Sequence, residues 1–358
     1  NRDDGNTRRA VGGSNSAVIM RETGNRRGRR DPRRVIKHVA QFLCTTVVLL
    51  AAVAGLSLAM LPTVSDFYKE DHYDVVFFGT SHAYCTFDPK VFAEYGLTTY
   101  NRGLPQQTMD CTYYMVKDAL ESADIDVVVL ESYAMIYDEG SEMMKNPSIK
   151  NDAFMAMSGL TNRYELVQNV IPEKYQRSYY FPLDKFHNGW ETWNYSSLAS
   201  LVDSIANPYV TDPERGYHRL QGSIEMGYMS WEQLVCETEA DIYGPNWYYL
   251  NQIKKVCDDH GATLILAKSP YPAFDGAVEV CRSMDRWCAN NEVDFVNFML
   301  LTQQIGFGYG ADTVEGEHLN ESGASKVSHY MAEYILEKQL TGEVLAKAVL
   351  RANLSQVN

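Results

Sequence analysis

From about residue 73 to residue 340, short apolar runs alternate with amphipathic stretches along the chain. Short runs that are apolar on both faces predict strands covered from both sides, as in a parallel sheet. The predicted strands are Asp74–Phe78, Thr98–Tyr100, Asp126–Leu130, Thr263–Ala267 and Asp294–Asn297. The predicted helices are Gln107–Ser122, Trp247–His260, Ala277–Asn290 and Ser325–Lys338. This alternation predicts a three-layer α/β/α domain with a doubly wound parallel sheet, whose site lies at the carboxyl ends of the strands.

Nearer the amino end, Val39–Leu61 is apolar on all faces and carries no charge. At ~1.5 Å per residue it would span roughly 34 Å, enough to cross the ~30 Å hydrocarbon core of a bilayer. Arg and Lys crowd the side that precedes it, so the positive-inside rule places residues 1–38 in the cytoplasm and the rest of the chain outside. A cleaved signal peptide is the alternative, but its apolar core would be shorter, and Ser57–Ala59 is a weak cleavage site.

The formal charge of −14 is unevenly distributed. Residues 1–38 hold eleven Arg or Lys against four Asp or Glu, a net +7, so the remainder carries −21. An acidic body argues against nucleic-acid binding, and a basic arm with little apolar periodicity is typical of disorder near anionic lipid.

The predicted organisation is a basic cytoplasmic arm (1–38), a transmembrane helix (39–61), a linker (62–72), an α/β domain (73–340) with a mainly helical insertion at about 140–246, and a tail (341–358).

Two short segments carry candidate chemistry. Ser81 follows the first strand in Gly79-Thr-Ser, and His318 lies within a loop near the end of the domain. A hydroxyl at a strand-to-helix turn, with a histidine and a carboxylate to activate it, is the arrangement that acyl transfer needs. Glu315, three residues before His318, is the predicted acid, and Asp312 is the alternative. The competing interpretation is that Ser81 only caps the following helix.

The Gly-Thr-Ser turn and the sequence His318-Leu-Asn-x-x-Gly resemble the first and last motifs of the SGNH (GDSL-like) hydrolases. Within that family they are similar to extracellular proteins of teichoic-acid D-alanylation and alginate acetylation. The resemblance covers about residues 74–132 and 250–337, and it implies the family's flavodoxin-like fold. It also implies that the amides of Ser81 and Gly103 form an oxyanion hole, with Asn101 beside them.

The chain departs from the family at the third motif, Gly-x-Asn-Asp, where it has Val128-Val-Leu-Glu131-Ser-Tyr. The asparagine donor is therefore missing or supplied elsewhere. Glu131 is either structural or a contact for a polar substrate group, and Gln107 is a second candidate contact. In the insertion, an aromatic cluster that includes His187 and Trp190 is either a stacking face for sugar rings or the core of a helical subdomain.

No cofactor is predicted, and no metal, because the sequence has no Cys-x-x-Cys pair or other ligand cluster. The six cysteines after Leu61 are expected to be either disulfide-bonded outside the cell or small buried residues.

Together these observations predict a membrane-anchored, extracytoplasmic serine esterase or O-acyltransferase acting on a cell-envelope polysaccharide or related polymer. The resemblance implies a membrane-bound O-acyltransferase as partner. The alternative is a non-catalytic scaffold that binds such a polymer or partner.

Overall fold

The computed structural model describes residues 32–59, 64–180, 209–223, 237–271, 276–314 and 317–338. The strands are β1 (Val64–Ser65), β2 (His72–Phe78), β3 (Thr99–Asn101), β4 (Asp124–Glu131), β5 (Tyr209–Val210), β6 (Thr263–Lys268), β7 (Asp294–Asn297), β8 (Thr313–Val314) and β9 (His318–Leu319). The helices are α1 (Pro32–Ala59), α2 (Ser81–Tyr84), α3 (Pro89–Glu94), α4 (Met109–Ser122), α5 (Glu142–Lys145), α6 (Pro147–Ala156), α7 (Leu160–Val170), α8 (Glu173–Tyr180), α9 (Gly244–His260), α10 (Ala277–Asn291), α11 (Tyr309–Asp312) and α12 (Glu321–Glu337).

The central sheet has five strands within the described residues, in the order β3-β2-β4-β6-β7, and all its pairs are parallel. The chain runs outward from β2 to β3 and then crosses back to β4. The strand order therefore reverses between β2 and β4, which is where ligands bind in open α/β sheets. The predicted α/β class is confirmed.

Helices cover both faces of this sheet. On one face, Met115 of α4 and Ile253 of α9 pack with strand residues such as Val128. On the other face, Phe92 of α3 and Met331 of α12 pack in a second apolar cluster. Since both faces are buried, the strands need apolar residues at successive positions, which explains the continuous apolar runs in the sequence.

The described part of the predicted insertion contains α5–α8 and a segment, residues 209–223, that runs along the free edge of β3. The Asn101 N–H donates to the Arg215 carbonyl at 2.9 Å. In return, Arg215 Nε donates to the Thr99 carbonyl at 2.7 Å. The segment therefore satisfies backbone groups of β3 that a sheet edge would otherwise leave unpaired.

Helix α1 carries the apolar segment. Among the described residues, Pro32–Val53 is long and apolar enough to cross a membrane, which is weak support for an anchor. Large apolar side chains along it are exposed, including Phe42 at 70% and Leu50 at 64%. The helix begins seven residues before the predicted span, because basic residues are also good helix formers.

Five of the cysteines after α1 are described, and all five are buried thiols. Burial raises the pKa of Cys111 and that of Cys257 to about 12. Thiols of this kind are unreactive. For these residues the structure supports the small-hydrophobe interpretation, and Cys236 lies outside the described residues.

Candidate active site

Ser81 is the first residue of α2, immediately after the turn that ends β2. Gly79 in this turn has φ +139°, and a Cβ there would lie 2.8 Å from the Glu131 carbonyl oxygen. Only glycine fits, because the backbone conformation is left-handed and the space is filled. Thr80, not Ser81, caps the helix: its Oγ1 accepts the His82 N–H at 3.2 Å. The capping interpretation of Ser81 is therefore wrong, and its hydroxyl is left for another partner.

That partner is His318. Its Nε2 lies 2.8 Å from Ser81 Oγ, although the two residues are 237 positions apart in the chain. His318 starts β9, which pairs antiparallel with β8 through Val314↔His318 and Thr313↔Leu319. The structure thus brings together the two residues that the sequence singled out. A histidine at this distance can accept the hydroxyl proton.

The residues after His318 hold it in place. Leu319 is buried, and Asn320 caps α12 by accepting the Gly323 N–H at 3.1 Å. The Asn320 amide also donates to the carbonyls of Ala311 at 2.7 Å and Gly222 at 2.8 Å. The His-Leu-Asn-x-x-Gly sequence is therefore a clamp: it anchors the loop of His318 to α12, α11 and the 209–223 segment.

The predicted acid, Glu315, lies outside the described residues. The alternative, Asp312, is buried, and its carboxylate accepts from the Gly308 N–H, the Ser322 hydroxyl and the Lys326 ammonium, each at 2.7 Å. Burial alone would raise the pKa of Asp312, but these hydrogen bonds, that of Lys326 foremost, lower it. Both oxygens of Asp312 are engaged in holding this loop, so Glu315 remains the proposed partner of His318.

The structure corrects the predicted role of Asn101. Its Nδ2 donates to the carbonyls of Ala83 at 2.9 Å and Phe87 at 3.0 Å, and its Oδ1 accepts the Gly103 N–H at 3.1 Å. Asn101 therefore fixes the end of α2 and does not face a substrate. The same bond engages the Gly103 amide that was predicted to line the oxyanion hole. Gly103 is instead required for packing, since a Cβ there would lie 3.0 Å from the Thr80 carbonyl oxygen.

Of the two interpretations of Glu131, the structure supports the structural one and not the substrate contact. Glu131 is fully buried, and its Oε1 accepts from Lys268 Nζ at 2.9 Å and from the Ser269 N–H at 3.2 Å. Its Oε2 accepts the Tyr133 N–H at 3.0 Å. Sequence reasoning missed Lys268, because a lysine at the end of an apolar strand carries no local sign that it is buried and paired.

The other predicted substrate contacts receive no support. Gln107 is fully buried before α4, and neither polar atom of its side chain is hydrogen-bonded in the described structure. At that depth its amide does not face a cleft. His187 and Trp190 lie outside the described residues.

An aromatic cluster surrounds His82, the residue after Ser81. The His82 ring stacks on Tyr133 with centroids 3.9 Å apart, and lies 5.1 Å from the Tyr271 ring and 5.2 Å from the His318 ring. Lys268 Nζ lies 4.8 Å from the Tyr133 ring centre and 4.4 Å from that of Tyr271. Burial lowers the pKa of His82 well below its usual value, and the charges of Lys268 and His318 lower it further. His82 is therefore a neutral imidazole at neutral pH.

On the side of Tyr84, the site is bordered by the 209–223 segment. Tyr84 is half-buried at the end of α2, and its ring stacks on the exposed His218 at 5.6 Å. The His218 N–H donates to the Tyr84 carbonyl at 2.8 Å. Burial and the neighbouring Cys85 raise the pKa of Tyr84, and a hydrogen bond with the Ser81 side chain opposes them. Part of the insertion thus forms a wall beside the nucleophile, which the sequence alone did not reveal.

One group among the described residues has the composition of a metal site: His72, Asp74 and Asp126, whose ligand atoms lie within 4.8 Å of one another. His72 and Asp74 belong to the first half of β2, whereas Ser81 follows its end. At ~3.3 Å per strand residue the two places are roughly 20 Å apart. This group therefore takes no part in the chemistry at Ser81.

No protein-family model matches this sequence, and no curated protein matches it. Among solved structures it is similar to a "putative acylhydrolase" of Bacteroides fragilis, with 13% identity over 79% of this chain and 93% of the other, and a TM-score of 0.34. It is also similar to a GDSL-like lipase of Bacteroides thetaiotaomicron, with 13% identity over 80% of this chain and 97% of the other, and a TM-score of 0.35. Similarity this low does not assign a function, so the function proposed next derives from the site itself.

Proposed function

We propose that this protein is a serine enzyme of the esterase or acyltransferase type, with Ser81 as nucleophile, His318 as general base and Glu315 as the acid that orients His318. One observation carries the proposal: the 2.8 Å contact between His318 Nε2 and Ser81 Oγ at the point where the strand order reverses. A contact across 237 residues of chain, at the end of a parallel strand, is what a catalytic pair requires.

The reaction follows from this geometry. Ser81 Oγ attacks the carbonyl carbon of an ester while its proton passes to His318 Nε2, and the carbonyl oxygen becomes negatively charged. The Ser81 N–H opens α2, so it has no partner within the helix and is available to that oxyanion. Collapse of the intermediate breaks the bond to the leaving alcohol, which takes the proton from His318. Water or an acceptor hydroxyl then attacks the acylated Ser81 by the reverse steps.

The proposed substrate is an acylated cell-envelope polysaccharide or related polymer, met outside the membrane. Three features support it: the exposed apolar helix α1, the change from a basic arm to an acidic body, and the resemblance to envelope-modifying proteins. Anchoring favours transfer of an acyl group to a polymer over hydrolysis of a freely diffusing ester. A membrane-bound O-acyltransferase is the proposed source of the acyl group.

The test is labelling of the detergent-solubilised full chain with a fluorophosphonate, a probe that reacts with activated serines. Wild type is compared with Ser81→Ala and His318→Ala, and with Ser148→Ala as a control on an exposed serine of α6. We expect labelling of wild type and of the control, and at least a 100-fold slower reaction in the other two. A folded wild type that does not react would instead support a non-catalytic scaffold, a possibility to which the engaged Gly103 amide also points.

A further inference from the structure

The candidate oxyanion hole is short of donors. Of the groups that the sequence offered, the Asn101 amide is used by the carbonyls of Ala83 and Phe87. The Gly103 N–H is used by Asn101 Oδ1. The Ser81 amide is left as the donor from the predicted set. Oxyanion holes gain their effect from several fixed donors aimed at one developing charge, so a further donor is expected within reach of Ser81.

The side chain of His82 offers such a donor. The hydrogen bonds that it makes with described residues run through its backbone: its N–H donates to Thr80 Oγ1 at 3.2 Å, and its carbonyl accepts from Ser269 Oγ at 3.2 Å. Its imidazole has no hydrogen-bond partner among the described residues, although the residue is only 2% exposed. Buried polar side chains in folded proteins nearly always have a partner, so an unpaired one requires an explanation.

The position of this ring fits a contact with the reacting carbonyl. His82 directly follows the nucleophile, and its ring lies 5.2 Å from that of His318, whose Nε2 touches Ser81 Oγ. His82 and Ser81 therefore both border His318, and an acyl group bonded to Ser81 Oγ would form beside the same histidine. After the neighbouring strand β4, the family resemblance implies an asparagine donor. This chain has Tyr133 there instead, and the His82 ring stacks on it.

The surroundings hold the ring in one orientation and one charge state. Tyr133 lies nearly parallel to it, at 17°, and Tyr271 packs at 54°. Lys268, paired with Glu131, supplies a buried positive charge behind the two tyrosines. The titratable groups that face His82 are thus Lys268, His318, Tyr133 and Tyr271. Burial and the charges of Lys268 and His318 disfavour a positive charge on the His82 ring. An uncharged imidazole keeps one N–H donor.

We propose that the imidazole N–H of His82 is the missing oxyanion donor: it contacts the carbonyl oxygen of the substrate and strengthens that contact as the tetrahedral intermediate forms at Ser81. This inference rests on the proposed function, since it requires acyl transfer at Ser81. It assigns His82 to the catalytic groups and gives the Tyr133, Tyr271, Lys268 and Glu131 cluster the role of positioning it.

The test uses two substitutions of similar size with opposite predictions. His82→Phe keeps an aromatic ring on Tyr133 but removes the N–H, whereas His82→Gln restores an N–H donor without the ring. We expect His82→Phe to lower both the fluorophosphonate labelling rate and the kcat for p-nitrophenyl acetate by about 100-fold, with KM changed less than threefold. His82→Gln should recover at least tenfold over His82→Phe. His260→Phe, on an exposed histidine at the end of α9, is the matched control and should react like wild type.

Each outcome decides one of the two proposals. If wild type and His82→Phe react at the same rate, His82 is not a donor, while the role of Ser81 stands. If His82→Gln is no better than His82→Phe and both have wild-type circular dichroism, the ring matters for packing and the donor role is again wrong. A folded wild type that does not react contradicts the proposed function itself.

Discussion

Lys268 Nζ lies 2.9 Å from Glu131 Oε1, and their side chains are only 2% and 0% exposed. The pair joins the ends of β4 and β6 directly beneath the turn of the nucleophile, because Gly79 packs against the backbone of Glu131. Two charges at this depth are costly to bury and are tolerated when each satisfies the other. The ion pair therefore ties the geometry of Ser81 to the middle of the sheet.

Removing one member of this pair should be strongly destabilising. In Lys268→Met the apolar stem remains between Tyr133 and Tyr271, but the Glu131 carboxylate loses its counter-charge. We expect the free energy of unfolding to fall by about 3–5 kcal/mol. Adding Glu131→Gln should restore part of the loss, since no uncompensated charge then stays buried. Urea titrations of the four proteins of this cycle measure the coupling, and losses that simply add would show that the charges do not interact.

A methyl group at position 103 should slow the reaction more than it weakens the fold. The Cβ of Gly103→Ala would lie 3.0 Å from the Thr80 carbonyl oxygen and 3.1 Å from the Tyr84 nitrogen, so α2 must shift by a few tenths of an ångström. We expect a loss of about 1–2 kcal/mol in stability and at least a tenfold slower labelling of Ser81. Gly244→Ala, where an added Cβ meets no atom within 4 Å, is the control. Equal labelling of the two variants would contradict the prediction.

The buried imidazole of His82 should make stability depend on pH. Its pKa is lowered in the folded state by burial and by the charges of Lys268 and His318. Below about pH 6.5 the His82 imidazole therefore binds a proton in the unfolded chain but not in the folded chain. This contribution to stability is complete above that pH, and it is lost as the pH falls, by at most ~1.4 kcal/mol per pH unit. Unfolding midpoints of wild type and His82→Phe, measured between pH 7.5 and pH 5, should converge on acidification; parallel curves would mean that His82 titrates normally.

Asn320→Ala should loosen the loop of His318. The substitution removes the cap of α12 and the two bonds to Ala311 and Gly222. We expect a loss of about 2 kcal/mol, at the upper end for a helix cap, together with slower labelling of Ser81. Asn146→Ala, which removes only the cap of α6 away from the site, should cost about 1 kcal/mol without slowing the reaction. If both variants label alike, the clamp contributes only to stability.

Local patterns were enough to predict much of this architecture. All five predicted strands of the central sheet are present, and Asp294–Asn297 has the predicted bounds. Ser81 and His318, whose side chains meet in the structure, were both selected from local signals, a glycine turn and a loop motif. Asn101 was misassigned, and the role of Glu131 was left open. Both roles depend on partners elsewhere in the chain, Lys268 for Glu131 and the carbonyls of Ala83 and Phe87 for Asn101. The position of the His82 ring beside that of His318 was not predicted, because no local pattern in the sequence indicates a contact between residues so far apart in the chain.

The hydrogen bonds between Arg215 and β3 have a consequence for association between chains. An uncovered parallel strand can template the addition of a strand from another molecule. At the β3 edge, the Thr99 carbonyl and the Asn101 N–H are already occupied by Arg215. Intermolecular sheet extension, the first step towards aggregation, is therefore blocked on the side of the sheet that carries the nucleophile. The opposite edge, β7, would be the place to look for it.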